Sequence, residues 1–217
     1  MTKLFSVNIW LLILFSFLST FFIAYLIDFT VVTDTLYENS FSNKLSNDQM
    51  QLILEKRKNG IIINNFFVGI VYIFKFICIA LVIQIGIYLD DYAIKFSQIL
   101  KSVLVGSFIF ILADFIKWIW FYFFVTPTSM KQLTFFMPFS LLNIFEIQTL
   151  SDWQITIFRV ANIFDFMFVG IVAFGLTTFC KKLNFEKATL LILKTYGIAI
   201  VIILGLKIWI SLYASNR

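Results

Sequence analysis

The sequence predicts an all-α, polytopic membrane protein whose 217 residues form a single transmembrane domain, a bundle of five transmembrane helices. Of these residues, 61% are hydrophobic and only 13% are charged, whereas soluble globular domains carry about 25% charged residues. Five apolar segments reach the roughly 20 residues that cross about 30 Å of hydrocarbon. Polar stretches are confined to the connections, so most of the chain is expected inside the membrane.

The first span is expected to be retained, because it is longer than a signal-peptide core and no small-residue cleavage site follows it. Two connections are short and two are long. Lys181, Lys182 and Lys187 in a short connection place that turn in the cytoplasm by the positive-inside rule. The N-terminus is then cytoplasmic and the C-terminus external. The predicted spans cover residues 4–27, 61–89, 102–125, 153–180 and 188–213.

The first long loop, residues 28–60, is predicted to contain a short amphipathic helix over residues 47–59. Ser46 and Gln49 have capping-box spacing, and Gly60 is suited to end the helix. One face of this helix is apolar, which favours contact with the membrane or a partner. A surface helix folded back on the chain's own spans is the alternative. The residues of this face are Met50, Ile53 and Leu54.

The second long loop, residues 126–152, holds the mostly apolar stretch 135–147 ahead of span four. This stretch is too short to span a bilayer and too apolar to stand free in water, which predicts an interfacial or re-entrant segment. Its candidate partner contacts are Phe139, Leu142 and Phe145. Ser151 and Gln154 form a second capping-box pattern at the start of span four.

Charged residues inside the predicted spans form a candidate network. An intramembrane charge costs at least about 2.5–3.5 kcal/mol on insertion scales, so each of these groups needs a partner. Asp114 and Lys117 are spaced to pair on one helix face. Asp165 needs a cation from another helix, and Lys75 lies at the same depth. The network is Lys75, Asp114, Lys117, Arg159, Asn162 and Asp165, with Arg159 and Lys207 able to extend toward one membrane boundary.

Two interpretations of this network remain open. One is a proton or ion relay or a polar substrate path, and the other is a structural network that fixes helix packing or joins a partner subunit. Both prolines lie in a loop and every predicted span is continuous, unlike the broken helices of many transporters. Gly170, Ala173 and Thr177 share one face of span four, where another helix is expected to approach closely.

Catalytic and metal-binding patterns are missing from the sequence. There is no histidine, and the chain contains no HExxH, GxSxG, Walker-type or CxxC motif. Cys78 and Cys180 lie in or at the end of apolar spans, where cysteine usually behaves as a small hydrophobe. The basic residues are scattered, which is not the pattern of a nucleic-acid surface. We therefore expect no enzymatic activity, no cofactor, no metal and no nucleic-acid partner.

The second half of the chain resembles the Yip family of five-span membrane proteins, named for interaction with Ypt/Rab GTPases. The stretch "NIFDFMFVGIVAFGLTTFCKKLNFEKATLLIL" has a span ending in a Gly-Leu step, a basic turn and a Lys-Ala start to the last span. The positions that carry the resemblance are Asn162, Asp165, Gly175, Leu176, Lys182, Lys187 and Ala188. Eukaryotic members carry an N-terminal cytoplasmic domain, whereas this sequence starts its predicted first span at residue 4, so we do not expect a Rab GTPase as a partner.

Bacterial members of the Yip family lack that domain, and some act as accessory subunits beside ABC-type exporters. The resemblance thus implies a non-catalytic accessory or scaffold subunit of a larger bacterial inner-membrane complex, with other membrane subunits and the lipid bilayer as partners. The alternative is a small transporter or substrate-binding membrane component that uses the intramembrane charge network.

Overall fold

The computed structural model describes residues 2–41, 45–147 and 149–215. These residues fold into helices without a β-strand, and two π-helical segments, Trp120–Phe124 after α4 and Leu193–Gly197 between α8 and α9, interrupt the α-helical pattern. The helices are α1 (Ile9–Thr30), α2 (Asp34–Phe41), α3 (Asn47–Leu89), α4 (Phe96–Ile119), α5 (Met130–Phe135), α6 (Asp152–Val160), α7 (Ile163–Phe179), α8 (Phe185–Ile192) and α9 (Ile198–Ser215).

Four helical segments are long and apolar enough to cross a membrane. They are α1, α3, α4 with its π-helical extension, and α8 with α9. The apolar helix α7 is shorter, with 17 residues. The all-helical prediction is thus confirmed, and four helices long and apolar enough to cross a membrane support a membrane-embedded protein, whereas the count of five spans stays a prediction.

Helix α3 is one continuous helix of 43 residues. Its predicted capping box is confirmed, because the backbone N–H of Gln49 donates to Ser46 Oγ and the Gln49 side chain accepts from the backbone N–H of Ser46. The prediction that Gly60 ends a separate loop helix is wrong. The predicted amphipathic helix instead continues into span two without a break, so it extends the bundle.

Predicted span four is broken, which corrects the expectation of continuous spans. Helix α6 ends at Val160, and α7 begins at Ile163 after a break at Ala161 and Asn162. The predicted capping box at Ser151 starts α6, with the backbone N–H of Ser151 donating to Gln154 Oε1 at 2.9 Å. The helix is therefore interrupted at a polar residue where the sequence predicts a continuous apolar helix.

Helices α4 and α7 pack closely against each other. A Cβ atom added at Gly175 would lie 2.6 Å from Ser102 Oγ, and one at Gly106 would lie 2.8 Å from Val172 Cγ2. The predicted close approach at Gly170 is wrong, because nothing lies within 4 Å of a Cβ atom there. The surrounding core is apolar and centres on the fully buried Phe168.

The two ends of the bundle differ. The short-turn face holds residues 90–95 and 180–184, and the long-loop face holds α2, α5 and the N-terminal part of α3. At the long-loop face, Arg57 donates to the carbonyl oxygens of Asp28 and Val32, at 2.7 and 2.5 Å, and forms an ion pair with Asp34 at 3.6 Å. These contacts join α3 to the end of α1 and the start of α2.

Candidate functional site

A cavity of about 600 Å³ lies among α3, α4, α6, α7 and α9. Five charged side chains line it, together with Tyr72, Tyr196 and Asn162. Its charged residues are Lys75, Asp114, Arg159, Asp165 and Lys207. Five of the six members of the predicted charge network thus meet at one cavity, Lys117 being the member that does not line it, and Lys207 joins them from α9.

The cations of the cavity are accessible. Lys75, Arg159 and Lys207 are all exposed, although Lys75 lies in the middle of a long apolar helix. The Lys75 ammonium is 5.1 Å from the ring centre of Phe110 and 5.3 Å from that of Phe76. Such contacts with aromatic faces are attractive because the ring face is partly negative. They hold Lys75 at the wall of the cavity without neutralising its charge.

The two carboxylates are half-buried and differ in their surroundings. Asp165 accepts a hydrogen bond from the Asn162 side chain at 2.5 Å, and Tyr196 lines the same cavity beside it. Among the described residues, Asp114 has no hydrogen-bond donor of this kind, and its electrostatic neighbours are Lys117, Arg159 and Lys75. Asp165 is therefore bound by an uncharged donor, whereas the neighbours of Asp114 are cations.

The predicted direct pairs of this network are wrong. Among the residues that the structure describes, every ion pair within 4.0 Å lies at the long-loop face, joining Asp34 to Arg57 and Lys58, and Lys131 to Asp152. The pairs Asp114–Lys117 and Lys75–Asp165 therefore interact only at longer range. The α3, α4 and α7 backbones hold these charges apart around open space.

Asn162 organises the break between α6 and α7. Its side-chain oxygen accepts from the backbone N–H of Asp165 at 2.9 Å, which caps the N-terminus of α7. Its side-chain nitrogen donates to the Asp165 carboxylate and to the carbonyl oxygens of Arg159 and Val160. One buried amide thus satisfies the polar backbone that the break exposes and also binds Asp165.

The apolar loop segment pairs with this break. Ser140 forms an isolated antiparallel bridge with Asn162, and the backbone N–H of Leu141 donates to the carbonyl oxygen of Ala161 at 3.0 Å. Phe139 adopts φ 52°, in the left-handed region that few non-glycine residues occupy. The segment predicted as interfacial or re-entrant therefore supplies hydrogen bonds to the broken helix next to the cavity.

The π-helical segment Leu193–Gly197 shapes the other side of the cavity. It contains Tyr196, whose ring packs 5.4 Å from that of Phe168 and whose hydroxyl faces Asp165. π-Helical turns are rare and occur frequently at functional sites. Both departures from regular α-helix, at Asn162 and at Tyr196, thus meet at Asp165.

The predicted partner-contact residues fall into two groups. Met50 and Leu142 are buried within the chain at 7% and 0% exposure, so the chain itself covers them, and their role as partner contacts stays a prediction. Phe139 and Phe145 are exposed. Ile53 and Leu54 are half-buried, which leaves most of the predicted apolar face of α3 covered by the chain itself.

The interruption between α6 and α7 could have been predicted from the sequence. Asn162 and Asp165 have the spacing of a helix N-cap and its N3 residue, as Ser46 has with Gln49 and Ser151 has with Gln154. Tyr196 carries no such mark, because no sequence pattern here indicates a π-helical turn. Within the described residues, no group of three or more potential ligands is arranged to hold a metal.

No family model, curated protein or solved structure matches the chain. The resemblance to the Yip family therefore stays a prediction, and the cavity is the principal guide to function.

Proposed function

We propose that this chain is a membrane-embedded component that binds a small anionic substrate in the charged cavity and serves its transport. The observation that carries the proposal is the charge balance of the lining, in which Lys75, Arg159 and Lys207 face two carboxylates. Even with both carboxylates ionised, the three cations leave the lining with one excess positive charge. An anion placed among them would complete the site.

The low dielectric of the membrane strengthens this argument. Charges interact several times more strongly there than in water, so unneutralised cations at this depth favour a bound anion. The broken helix adds support, because discontinuous helices beside a polar cavity are typical of secondary transporters. Irregular backbone at membrane depth is tolerated where it is covered by protein or lines a cavity, as it does at Asn162.

Cys78 offers a direct test, because it is exposed and lines the cavity. In a Cys180→Ser background, we expect an anionic methanethiosulfonate reagent to modify Cys78 faster than a cationic one, after each rate is divided by that for a free thiol. Lys75→Gln should reduce this preference. Equal rates, a preference for the cationic reagent, or no reaction with either would contradict a hydrated, cation-rich site.

A second candidate is the accessory or scaffold subunit of a bacterial inner-membrane complex, as the Yip resemblance implies. A groove of about 810 Å³ at the long-loop face favours it, since Phe139, Ile144 and Phe145 are exposed beside this groove. A partner subunit would cover these side chains. In this proposal the N-terminus is cytoplasmic and the long-loop face is external.

Purification from native membranes in mild detergent tests this second candidate. A stoichiometric partner that co-purifies with the wild-type chain should be lost from Ile144→Ser. Leu52→Ser, which changes an exposed apolar residue of α3, is the matched control and should retain the partner. A chain that purifies alone in all three forms would exclude the subunit proposal and leave the cavity proposal standing.

A further inference from the structure

We infer that the ligand of the charged cavity is an anionic amphiphile, with a phosphate or carboxylate headgroup and an acyl chain, which reaches its site through the cleft between α3 and α9. This inference rests on the proposed anion site and names its ligand class. It follows from the shape of the cleft and from the order of polar and apolar residues along it.

The cleft is closed at one end and open at the other. At the closed end α3 packs against the π-helical segment and α8, and a Cβ atom added at Gly86 would lie 2.4 Å from Thr195 Cγ2. Beyond this point α9 packs against α6, and the described residues show no extended contact between α9 and α3. The two helices therefore diverge toward the long-loop face.

Polar and apolar residues occupy different heights of this cleft. Lys75 lies about 16 Å along α3 from Gly86, and Lys207 about 18 Å along the last span from Thr195, at 1.5 Å per residue. The two cations thus face each other across the open part, with Arg159 beside them. Between these cations and the closed end, polar groups come from Tyr196 and Asp165, and the rest of the wall is apolar, formed by Cys78, Ile79, Val82, Ala199, Ile200 and Ile203.

This order matches an amphiphile that lies parallel to the helices. Its headgroup would contact Lys75, Arg159 and Lys207, and its chain would lie along the apolar walls toward Gly86. Ile203 is 53% exposed and Phe74 is 65% exposed on the cavity lining, so apolar surface is available to cover a chain. A free inorganic anion would use the cations and leave this surface unused.

Three probes separate the headgroup from the chain. The purified full-length protein in a nonionic detergent is titrated with dioctanoyl phosphatidylglycerol, with dioctanoyl phosphatidylcholine and with glycerol phosphate, and binding is followed by thermal unfolding and native mass spectrometry. We expect dioctanoyl phosphatidylglycerol to bind at least tenfold more tightly than either of the others. Phosphatidylcholine of equal affinity would overturn the assignment of an anionic headgroup.

Two variants locate the site. Lys75→Gln should weaken phosphatidylglycerol binding at least tenfold, whereas Lys187→Gln, at the exposed short-turn face, should leave it unchanged. Ile203→Trp places a larger side chain on the apolar wall and should also weaken phosphatidylglycerol binding at least tenfold. Ile202→Trp changes an exposed neighbour outside the cavity lining and is the matched control. Because Ile203 and Ile202 are both exposed, neither variant disturbs the core.

The outcomes distinguish this inference from the function on which it rests. If glycerol phosphate binds as tightly as phosphatidylglycerol, and if its binding requires Lys75 but is unchanged in Ile203→Trp, the amphiphile is excluded and an anion site is retained. Absence of binding by all three probes would overturn both. If neither Lys75→Gln nor Ile203→Trp changes phosphatidylglycerol binding, the lipid binds elsewhere on the protein and the inference is overturned.

Discussion

The α4–α7 interface and the charged cavity use the same two helices in opposite ways. Toward the short-turn face, Gly106 and Gly175 let side chains of the facing helix approach closely, and the surrounding core is apolar. Nearer the long-loop face, α4 presents Asp114 and α7 presents Asp165 to open space. In the packed half, the side chains of the two helices fit closely together. In the cavity half, the helices enclose open space, and their charged groups form no direct ion pairs.

The two halves therefore have different roles, one in stability and the other in binding. Tight interlocking fixes the positions of α4 and α7 relative to each other, because a packed interior deforms little. The charges of the cavity can then remain apart at the cost of local stability, as is common where a site is prepared for a ligand. Substitutions should therefore cost most in the packed half, and changes in the cavity should affect binding more than folding.

The largest effect on stability is expected from Gly175→Val. The added side chain would meet Phe5 and Ser102 at less than 3 Å, and overpacking of this kind costs about 1–3 kcal/mol. Gly170→Val, on the same helix but with nothing within 4 Å, should change stability by less than about 0.5 kcal/mol. Unfolding in mixed detergent micelles measures both, and equal losses would show that the α4–α7 interface is not tightly packed.

Asn162→Ala should cost about 2 kcal/mol, because it removes a helix cap and leaves Asp165 with one donor fewer. Asn184→Ala removes only the cap of α8 and should cost about 1 kcal/mol. Amide hydrogen exchange at Leu141, whose N–H is bonded to Ala161, should accelerate only in the first variant. A smaller loss for Asn162→Ala than for Asn184→Ala would contradict its role at the break.

Gln84→Leu is expected to increase stability by about 1 kcal/mol. The Gln84 side chain is 7% exposed, and neither of its amide atoms has a hydrogen-bond partner in the described structure. A buried amide without partners is costly, and an apolar side chain of similar size removes that cost. Gln98→Leu, which loses a bond from the Lys95 backbone N–H, should instead destabilise. A loss of stability in Gln84→Leu would indicate that the Gln84 amide forms hydrogen bonds within the packed half.

A small loss of stability, about 0.5 kcal/mol, is expected from Tyr196→Phe in the cavity, because Asp165 keeps its bond from Asn162. Tyr72→Phe removes a 3.0 Å hydrogen bond to the carbonyl oxygen of Ser107 and should cost about 1 kcal/mol. Thermal unfolding of the two variants compares them directly. The reverse order would show that Tyr196 supports the fold more than it supports the site.

Local patterns in the sequence predicted local structure well. The capping boxes at Ser46 and Ser151 mark the starts of α3 and α6, since they depend on contacts between residues close in the chain. The break at Asn162 follows the same rule but was masked by the apolar residues around it. Gly60 was expected to end a helix, yet the contacts of Arg57 with α1 and α2 help hold α3 together through this region.

Long-range packing accounts for what the sequence did not predict. The equal depths of Lys75 and Asp165 suggested a direct ion pair, but depth says nothing of lateral distance, and the two groups face a cavity instead. The cavity exists because α9 diverges from α3 beyond the contact of Gly86 with Thr195. Neither this divergence nor the π-helical turn at Tyr196 leaves a recognisable pattern in one sequence.

The central claim is that the cavity binds an anion, and diffraction from crystals of the protein soaked in iodide tests it most directly. The account predicts a strong anomalous peak among Lys75, Arg159 and Lys207 that is lost in Lys75→Met. Peaks confined to the exposed lysines of the short-turn face, with none in the cavity, would contradict it.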